Sequence, residues 1–252
     1  MKLSYFLNEY LKERPLFLSL IRAKEAWLFQ KYLPINHPSV DVGCGDGFFA
    51  NLAFGRIDTG IDLPSSRINE AGSKKVYREL LVFDGRRIPI KSNSTATCIS
   101  NCVMEHVEDP GELIKEIFRI TKPGGRFFVT VMAKPWEDNL IGGKILGKTY
   151  RNWLRKIQVH LNLLTEAEWS RRFKRQGWII SGKTGYLSPR AANLIEIAHY
   201  LSLPSLISYK LTKKWALVPG INLLPVKHLA GIMGKNVKPE TSGAILYVLQ
   251  KP

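Results

Sequence analysis

Ser39-Val-Asp-Val-Gly-Cys-Gly-Asp-Gly-Phe-Phe-Ala50 is the stretch of sequence that decides the fold. It places a short apolar strand, alternating glycines at positions 43, 45 and 47 and the start of a helix in one continuous run. Glycine lets the backbone turn sharply and approach a ligand without a Cβ in the way, as loops that bind nucleotide cofactors require. The segment therefore predicts a nucleotide-cofactor loop, although its glycine spacing alone does not name the cofactor.

Three details of this loop separate the cofactor candidates. A dinucleotide fingerprint needs a small residue three positions after Gly45, where this chain has Phe48. A P-loop is excluded because no Gly-Lys-Ser or Gly-Lys-Thr follows. Asp41 lies at the strand end, where a carboxylate would repel a pyrophosphate but could accept hydrogen bonds from amide and ammonium groups. The loop is therefore predicted to serve a cofactor that carries positive charge.

At this point the chain resembles the class I S-adenosylmethionine-dependent methyltransferases, whose first motif has the form Asp-x-Gly-x-Gly-x-Gly. The resemblance extends to about residue 131 and departs from the family only at Ser94-Thr-Ala-Thr97, where relatives usually carry Phe-Asp. Four further segments match the family's elements in order: Ile57-Asp-Thr-Gly-Ile-Asp62, Leu80-Leu-Val-Phe-Asp-Gly85, Cys98-Ile-Ser-Asn-Cys-Val-Met-Glu-His106 and Ile120-Thr-Lys-Pro-Gly-Gly-Arg-Phe-Phe-Val-Thr-Val131.

The resemblance implies S-adenosyl-L-methionine as the cofactor and a set of residues that bind it. Asp62 ends the second strand about 20 residues after the first glycine, where a carboxylate can take both ribose hydroxyls. Asp84 is expected to meet the adenine amino group. The implied cofactor-binding residues are Asp41, Gly43, Cys44, Gly45, Gly47, Asp62, Leu63, Asp84, Gly85, Asn101 and Cys102.

Local signals support the same architecture. Asp109, Pro110 and Glu112 offer an N-cap, a first-turn proline and a capping acid, and Thr165 with Glu168 forms a second capping box. Strands alternating with helices over roughly 250 residues predict an α/β fold with one doubly wound, seven-stranded, mostly parallel sheet and helical insertions. The family implies that the closing strand at 243–249 runs antiparallel at or near the sheet edge.

The sequence divides into segments around the predicted cofactor-binding core. The core is expected at 37–135 and again at 165–186, with one helix and one strand in the second part. The other predicted units are an N-terminal helical cap at 1–36, a basic insertion at 136–164, an apolar and basic helical insertion at 187–241, and the closing strand at 242–252.

Charge is unevenly distributed along the chain, whose formal net charge is +16. Residues 1–135 carry 19 basic and 15 acidic residues, whereas residues 136–252 carry 18 basic and 6 acidic residues. An anionic partner is therefore expected for the second half. Its apolar runs either pack on the core, with Leu194, Ile197, Ala198 and Leu201 on one helix face, or lie in the headgroup region of an anionic membrane. The candidates for membrane contact are Trp215, Leu217, Ile221, Leu223 and Leu224, flanked by Lys210, Lys213, Lys214, Lys227 and Lys235.

The expected chemistry is an in-line displacement at a sulfonium methyl group, which needs alignment more than covalent catalysis. His106 and His160 are the candidate bases if the acceptor is a hydroxyl, each with a structural role as the alternative. Arg22 is either a partner for the methionyl carboxylate or a solvated surface residue. No metal is expected, because the chain has no Cys-x-x-Cys pair and no histidine at zinc spacing, and its cysteines are expected to be structural thiols.

Three functions follow as hypotheses. The first is methyl transfer to an oxygen or nitrogen of a small-molecule, lipid-linked or glycan acceptor near a membrane surface. The second is RNA methylation, which the charge suits although no RNA-binding module is visible. The third is a catalytically silent S-adenosylmethionine-binding protein. Without an evident signal peptide, the expected location is cytoplasmic, with peripheral contact at the inner membrane face as a further hypothesis. The sequence leaves the oligomeric state open.

Overall fold

A single seven-stranded sheet organises the computed structural model, which describes residues 1–212, 215 and 225–252. The strand order is β3-β2-β1-β4-β5-β7-β6. All pairs are parallel except those of β7, which is antiparallel to both β5 and β6. The strands are β1 Ser39–Val42, β2 Ile57–Asp62, β3 Tyr77–Val82, β4 Thr95–Asn101, β5 Thr121–Met132, β6 Ile179–Gly185 and β7 Ala244–Gln250. The predicted doubly wound α/β fold is confirmed, and the antiparallel closing strand lies second from the edge.

Helices cover both faces of the sheet and enclose two apolar cores. One core lies under α1, α2, α3, α10 and α12, and the other lies under α5 and α9. The helices are α1 Leu3–Glu13, α2 Leu16–Phe29, α3 Phe48–Ala53, α4 Ile68–Lys74, α5 Pro110–Ile120, α6 Pro135–Asn139, α7 Ile141–Ile145, α8 Gly147–Gln158, α9 Glu166–Arg175, α10 Pro189–Leu201, α11 Leu203–Thr212 and α12 Val226–Met233. Side chains alternate across β1, so that Val40 and Val42 enter the second core while Asp41 points to the other face.

The helix starts show why the local sequence signals were informative. The Asp109 side chain accepts a hydrogen bond from the Gly111 N–H, with Pro110 in the first turn of α5. Thr165 and Glu168 form the complete reciprocal capping box of α9. Glu112 differs from the prediction, because its carboxylate pairs with Lys115 one turn later on the exposed face of α5.

The fourth strand is shorter than its sequence suggested. The segment from Cys98 to His106 resembles the fourth strand of the family with its Glu-His ending, but β4 ends at Asn101 and a short 3-10 turn covers Met104–His106. Cys102 follows the strand with a φ of 52°, a left-handed backbone conformation that ends extended pairing. Glu105 and His106 are thereby lifted beyond the carboxyl edge of the sheet instead of lying in it.

The helix at the start of the second insertion buries part of the predicted face, because Ala198 is buried and Leu194 packs against the core. Ser188 caps α10 by accepting from the Ala191 N–H. The most buried apolar residues of α10 are Ala191, Ala192, Ile195 and Ala198. Ile197 and Leu201 are instead 49% and 67% exposed, which corrects the expectation that they share the core-facing side.

The remaining candidates for membrane contact can be placed only in part. Lys213, Lys214, Leu217, Ile221, Leu223 and Leu224 lie outside the described residues. Within the described part of the chain, no helix combines the length and the apolar character that crossing a bilayer would demand.

Candidate functional site

The glycine loop joins the carboxyl end of β1 to α3. Gly43 and Cys44 both donate backbone N–H groups to the carbonyl of Ile61, which ties the loop to β2. Gly43, Gly45 and Gly47 have φ values of 83°, 54° and 73°, the left-handed region that favours glycine. A Cβ on Gly43 would overlap the Val103 side chain, whereas a Cβ on Gly45 would meet nothing within 4 Å. The loop is thus tight at its first glycine and open at its second.

Asp62 ends β2 directly beside that open position. Its two carboxylate oxygens accept the backbone N–H groups of Gly45 at 2.6 Å and of Leu63 at 2.8 Å. An ionised carboxylate offers about four lone-pair positions, so these two bonds leave roughly half of its accepting capacity unused. The carboxylate is partly exposed and rigidly held, which suits it to accept two hydrogen bonds from a ribose diol.

Asp41 faces the α1 and α2 side of the sheet and is almost completely buried. It accepts a hydrogen bond from the Tyr77 hydroxyl at 2.6 Å. Burial raises the pKa of Asp41 to about 7, partly offset by the Tyr77 hydrogen bond. The site therefore contains a carboxyl group that would gain from a nearby cationic ligand.

Asp84 and Gly85 form an exposed corner after β3. Asp84 accepts the Arg86 backbone N–H at 2.9 Å, and this bond lowers the pKa of its carboxyl. Gly85 has a φ of 84°, and a Cβ there would lie 3.4 Å from Cδ2 of Leu63. The half-exposed Leu63 side chain thus bridges the ends of β2 and β3 and offers an apolar surface between Asp62 and Asp84.

The N-terminal helices are anchored to the glycine loop. Arg14, just after α1, forms an ion pair with Asp46 at 2.5 Å, and Arg67 approaches the same carboxylate at 3.1 Å. The Arg14 guanidinium also lies 4.6 Å from the ring centroid of Phe48. Phe48 in turn packs edge-on against Tyr10, with ring centroids 5.0 Å apart. The bulky residue that argued against a dinucleotide loop therefore serves as the contact between α3 and α1.

A buried carboxylate on α2 organises the end of β4. Glu25 is fully buried and accepts hydrogen bonds from Arg22 at 2.8 Å, Asn101 at 2.9 Å, Cys102 at 3.1 Å and Tyr186 at 2.6 Å. The predicted role of Asn101 and Cys102 in cofactor binding stays a prediction. Because their side chains are committed to Glu25, contact with a cofactor would use their backbone groups.

Arg22 is mostly buried and is not a fully solvated surface residue. Its side chain is 23% exposed and is held by Glu25 in an i,i+3 ion pair on α2. It lines a cavity of about 270 Å³ above the ends of β4 and β5. The other residues that line this cavity come from α2, the β4 and β5 ends, the α6 to α8 segment and α10: Phe17, Leu18, Ile21, Cys102, Glu105, His106, Met132, Trp136, Ile157, Gln158, His160, Ile195 and His199.

The two candidate histidines meet in this cavity although 53 residues separate them. Their ring centroids are 5.2 Å apart. His106 Nδ1 lies 2.9 Å from the Val159 carbonyl, so that Nδ1 carries the proton that it donates there. Burial, with a contribution from His106, lowers the pKa of His160 to about 3. Burial also raises the pKa of Glu105, which precedes His106 in sequence and has a carboxylate oxygen within 4.8 Å of a ring nitrogen of each histidine.

Several residues of the site were not predicted from the sequence. Tyr77 and Glu25 lie far along the chain from the groups they contact, and no spacing rule connects them. The signal for Glu25 was its place, with Arg22 and Lys24, in the otherwise apolar run Leu16–Phe29. Charged residues inside such a run indicate buried partners, since a buried charge is costly unless it is paired.

The residues at the carboxyl edge fit S-adenosylmethionine. Asp62 has accepting capacity for a ribose diol, and the space at Gly45 allows close approach of a ligand to the loop. The buried Asp41 gives the loop an acidic character that suits a cationic cofactor. The remaining predicted contacts, through Cys44, Gly47 and Asp84, stay predictions.

Comparison with known sequences agrees with this geometry. Residues 40–129 match the family model described as a methyltransferase domain. Malonyl-[acyl-carrier protein] O-methyltransferase of Yersinia pestis is 29% identical over 103 residues, which cover 40% of this chain and 39% of that protein. Ubiquinone biosynthesis O-methyltransferase of Paracidovorax citrulli is 34% identical over 121 residues, covering 44% and 49% respectively. The chain spans half or less of the length of these curated relatives.

Comparison with solved structures extends the similarity of fold over nearly the whole chain. An S-adenosylmethionine-dependent methyltransferase of Thermotoga maritima covers 99% of this chain and 97% of its own, with a TM-score of 0.60 and 17% identity. Geranyl diphosphate C-methyltransferase of Streptomyces coelicolor, determined with S-adenosyl-L-homocysteine, covers 94% and 84% with a TM-score of 0.59 and 13% identity. Residues 40–129 are thus similar to a methyltransferase domain, and the fold of the chain is similar to that of solved S-adenosylmethionine-dependent methyltransferases.

Proposed function

We propose that the protein transfers a methyl group from S-adenosylmethionine to an oxygen atom of an acceptor bound in the cavity above β4 and β5. The observation that carries this proposal is the shared sheet edge of the Asp62 site and the cavity that contains His106 and His160. In an open parallel sheet, ligands bind at this carboxyl edge. The matched relatives named above are O-methyltransferases, which favours oxygen as the acceptor atom.

The residues of the chain would divide the work between them. S-adenosylmethionine, when bound, supplies an electrophilic methyl whose C–S bond breaks as the acceptor oxygen bonds to its carbon. Asp62 would hold the ribose and the glycine loop would hold the methionyl part. The apolar walls of the cavity, among them Trp136 and Ile195, exclude water from the acceptor. His106 would take the acceptor proton through Nε2, since a pKa of about 3 makes His160 a weak base.

Calorimetry with S-adenosylhomocysteine tests the cofactor half of the proposal. Asp62→Asn should weaken binding at least about tenfold, because a carboxylate that accepts two hydroxyl bonds is replaced by an amide with one acceptor atom. Asp58→Asn is the matched control, since Asp58 lies on the same strand but hydrogen-bonds Ser39 at the opposite end. Equal affinity of wild type and Asp62→Asn would refute the assignment of Asp62. Binding by the wild type without methyl transfer to any oxygen acceptor would favour a silent binding protein.

A second proposal concerns where the acceptor is met. We propose that the α10 and α11 region contacts an anionic membrane surface that presents a lipid-linked acceptor. The supporting observation is a set of exposed aliphatic side chains on these helices, with Leu201, Ile207 and Leu211 each more than 60% exposed. Exposed apolar groups next to basic residues such as Lys210 are typical of interfacial helices.

Vesicle co-sedimentation tests this second proposal. The protein should sediment with anionic vesicles at low salt and be released as salt rises, since screening weakens the lysine contribution. Leu211→Ser with Ile207→Ser should reduce sedimentation, whereas Leu161→Ser, at an exposed leucine outside these helices, should not. Absence of sedimentation at low salt would refute the proposed membrane contact.

A further inference from the structure

Glu105, His106 and His160 form a cluster that the proposed methyl transfer does not fully explain. One potential ligand atom from each side chain lies within 4.8 Å of the other two. All three residues line the cavity of about 270 Å³. Two imidazoles and a carboxylate are the donor set that proteins use for zinc and similar divalent transition metals.

Backbone hydrogen bonds fix the two segments that carry this cluster. The N–H groups of Leu161 and Asn162 both donate to the carbonyl of Glu105, at 2.8 and 3.0 Å. The Asn162 side-chain amide donates to the Val107 carbonyl at 2.6 Å. The cluster is therefore held before any ligand arrives, which lowers the entropy cost of binding one.

Two polar atoms of the cluster are buried without a partner among the described residues. Glu105 Oε2 and His160 Nδ1 are both inaccessible to solvent and make no hydrogen bond there. Glu105 is fully buried, and its other oxygen accepts the Met132 N–H at 3.3 Å. Buried polar atoms in native proteins are almost always satisfied, so this carboxylate oxygen beside two histidines is suited to a positively charged partner.

The hydrogen bond of His106 orients it as metal-binding histidines are oriented. Its Nδ1–H donates to the Val159 carbonyl, which leaves the lone pair of Nε2 for a cation. Histidine ligands in metalloproteins commonly use one ring nitrogen for the metal and the other for such a carbonyl or carboxylate.

We propose that Glu105, His106 and His160 bind one divalent transition-metal ion, Zn²⁺ or a metal of similar preference, which holds the oxygen of the methyl acceptor. This proposal rests on the proposed function and deepens it. Three protein ligands would leave a fourth tetrahedral position for the acceptor oxygen, and all three residues line the cavity in which the acceptor is proposed to bind. A hydroxyl bound there loses its proton to solvent more readily, because the cation stabilises the oxyanion, and the oxyanion is then the nucleophile. His106 and His160 act as ligands in this scheme instead of as the base.

The sequence did not predict a metal site because the motifs that were considered are short and local. These motifs are a Cys-x-x-Cys pair or histidines at zinc spacing, whereas His160 is brought to Glu105 and His106 by folding across more than fifty residues. A ligand set assembled in this way has no short motif.

Titration of the EDTA-treated full chain with Co²⁺, followed by visible d–d absorption, tests the proposal. Wild type should bind one equivalent, and His160→Asn and His106→Asn should each weaken binding at least about tenfold. His199→Asn is the matched control, because His199 lines the same cavity but lies outside the cluster. Affinity for S-adenosylhomocysteine, measured on each variant, reports whether the fold and the cofactor site persist.

The outcomes separate the two proposals. No stoichiometric Co²⁺ binding by wild type, or unchanged binding in both His106→Asn and His160→Asn, would overturn the metal site whatever the cofactor result. Co²⁺ binding that depends on both histidines, in a chain that does not bind S-adenosylhomocysteine, would support the metal site and reject the proposed methyl transfer.

Discussion

Two halves of the carboxyl edge differ in how they are built. On the β1 to β3 side, the proposed cofactor contacts come from one short loop and two strand ends, with Asp62 held by backbone groups of Gly45 and Leu63. On the β4 to β5 side, the cavity draws on α2, a 3-10 turn, the segment after α8 and α10. The first half is assembled by local chain geometry and the second by tertiary packing.

This difference has a chemical consequence. Backbone N–H groups donate the hydrogen bonds that hold Asp62 in the first half, whereas other side chains satisfy the Glu25 carboxylate in the second. A site formed mainly by backbone groups tolerates substitutions at positions other than its glycines and Asp62. A site built from side chains can change its acceptor by a few substitutions, which suits a fold that serves many substrates.

The largest effect is expected from Glu25→Ala, on the side built from side chains. The substitution removes the acceptor of four hydrogen bonds and leaves the largely buried Arg22 without its counter-ion. Breaking a buried pair in this way costs about 3–5 kcal/mol of unfolding free energy. Urea denaturation measures it, with Glu9→Ala as control because Glu9 forms only an exposed pair with Lys12. Equal losses in the two variants would show that the Glu25 network does not organise this half.

A somewhat smaller loss is expected from Gly43→Ala, on the backbone-built side. Alanine at a φ of 83° lowers the free energy of unfolding by about 1–2 kcal/mol. The shift of Val103 needed to make room for the new Cβ lowers it by about 1–3 kcal/mol more. Denaturation and calorimetry with S-adenosylhomocysteine should both register the change. A variant of wild-type stability would show that the loop is less tightly built than its geometry indicates.

The predictability of the two halves follows the same division. The strands, the capping of α5 and α9 and the antiparallel β7 followed from periodicity, local motifs and family resemblance. The end of β4 did not, because the left-handed residue Cys102 interrupts an apolar run that continues in sequence. The buried face of α10 was predicted only in part, since Ala198 and Leu194 pack on the core whereas Ile197 and Leu201 are exposed.

For the site, sequence reasoning reached single residues but not their partners. Asp62 was located by its distance from the glycines, and its bond to Gly45 N–H is a local consequence of the β1 and β2 pairing. The meeting of His106 with His160 depends on where the segment after α8 returns to the sheet. That path is determined by packing of the insertion, which no short-range pattern encodes.

Asp41→Asn is expected to have an intermediate effect, on how the free energy of unfolding depends on pH. With a folded pKa of about 7 and an ordinary unfolded value, the native state retains a proton that the unfolded chain loses between about pH 4 and 7. This contribution to stability therefore declines as pH rises through that window, by about 2 kcal/mol between about pH 5.5 and 7. Asparagine still accepts from Tyr77 and should remove that slope.

Glu116→Gln is the control for Asp41→Asn, because the pKa of Glu116 is shifted downward whereas that of Asp41 is shifted upward. Its hydrogen bond with Arg119 lowers the pKa of Glu116, so its stabilising contribution is complete above the unfolded value and is lost only in more acidic solution. The variant should lose a constant amount of stability from about pH 5.5 to 7. Denaturation at several pH values measures both, and parallel pH profiles of wild type and Asp41→Asn would contradict the shifted pKa of Asp41.

The smallest effect on stability, and the sharpest separation of folding from binding, is expected from Gly45→Ala. A φ of 54° is the left-handed conformation that alanine adopts at a cost of about 1 kcal/mol, and its Cβ would meet no protein atom within 4 Å. That same Cβ would project into the space beside Asp62 that the proposed cofactor occupies. Affinity for S-adenosylhomocysteine should therefore fall at least about tenfold while the melting temperature moves by only a few degrees. If affinity and stability fell together as in Gly43→Ala, the open side of the loop would be part of the folded core and not a place for a ligand.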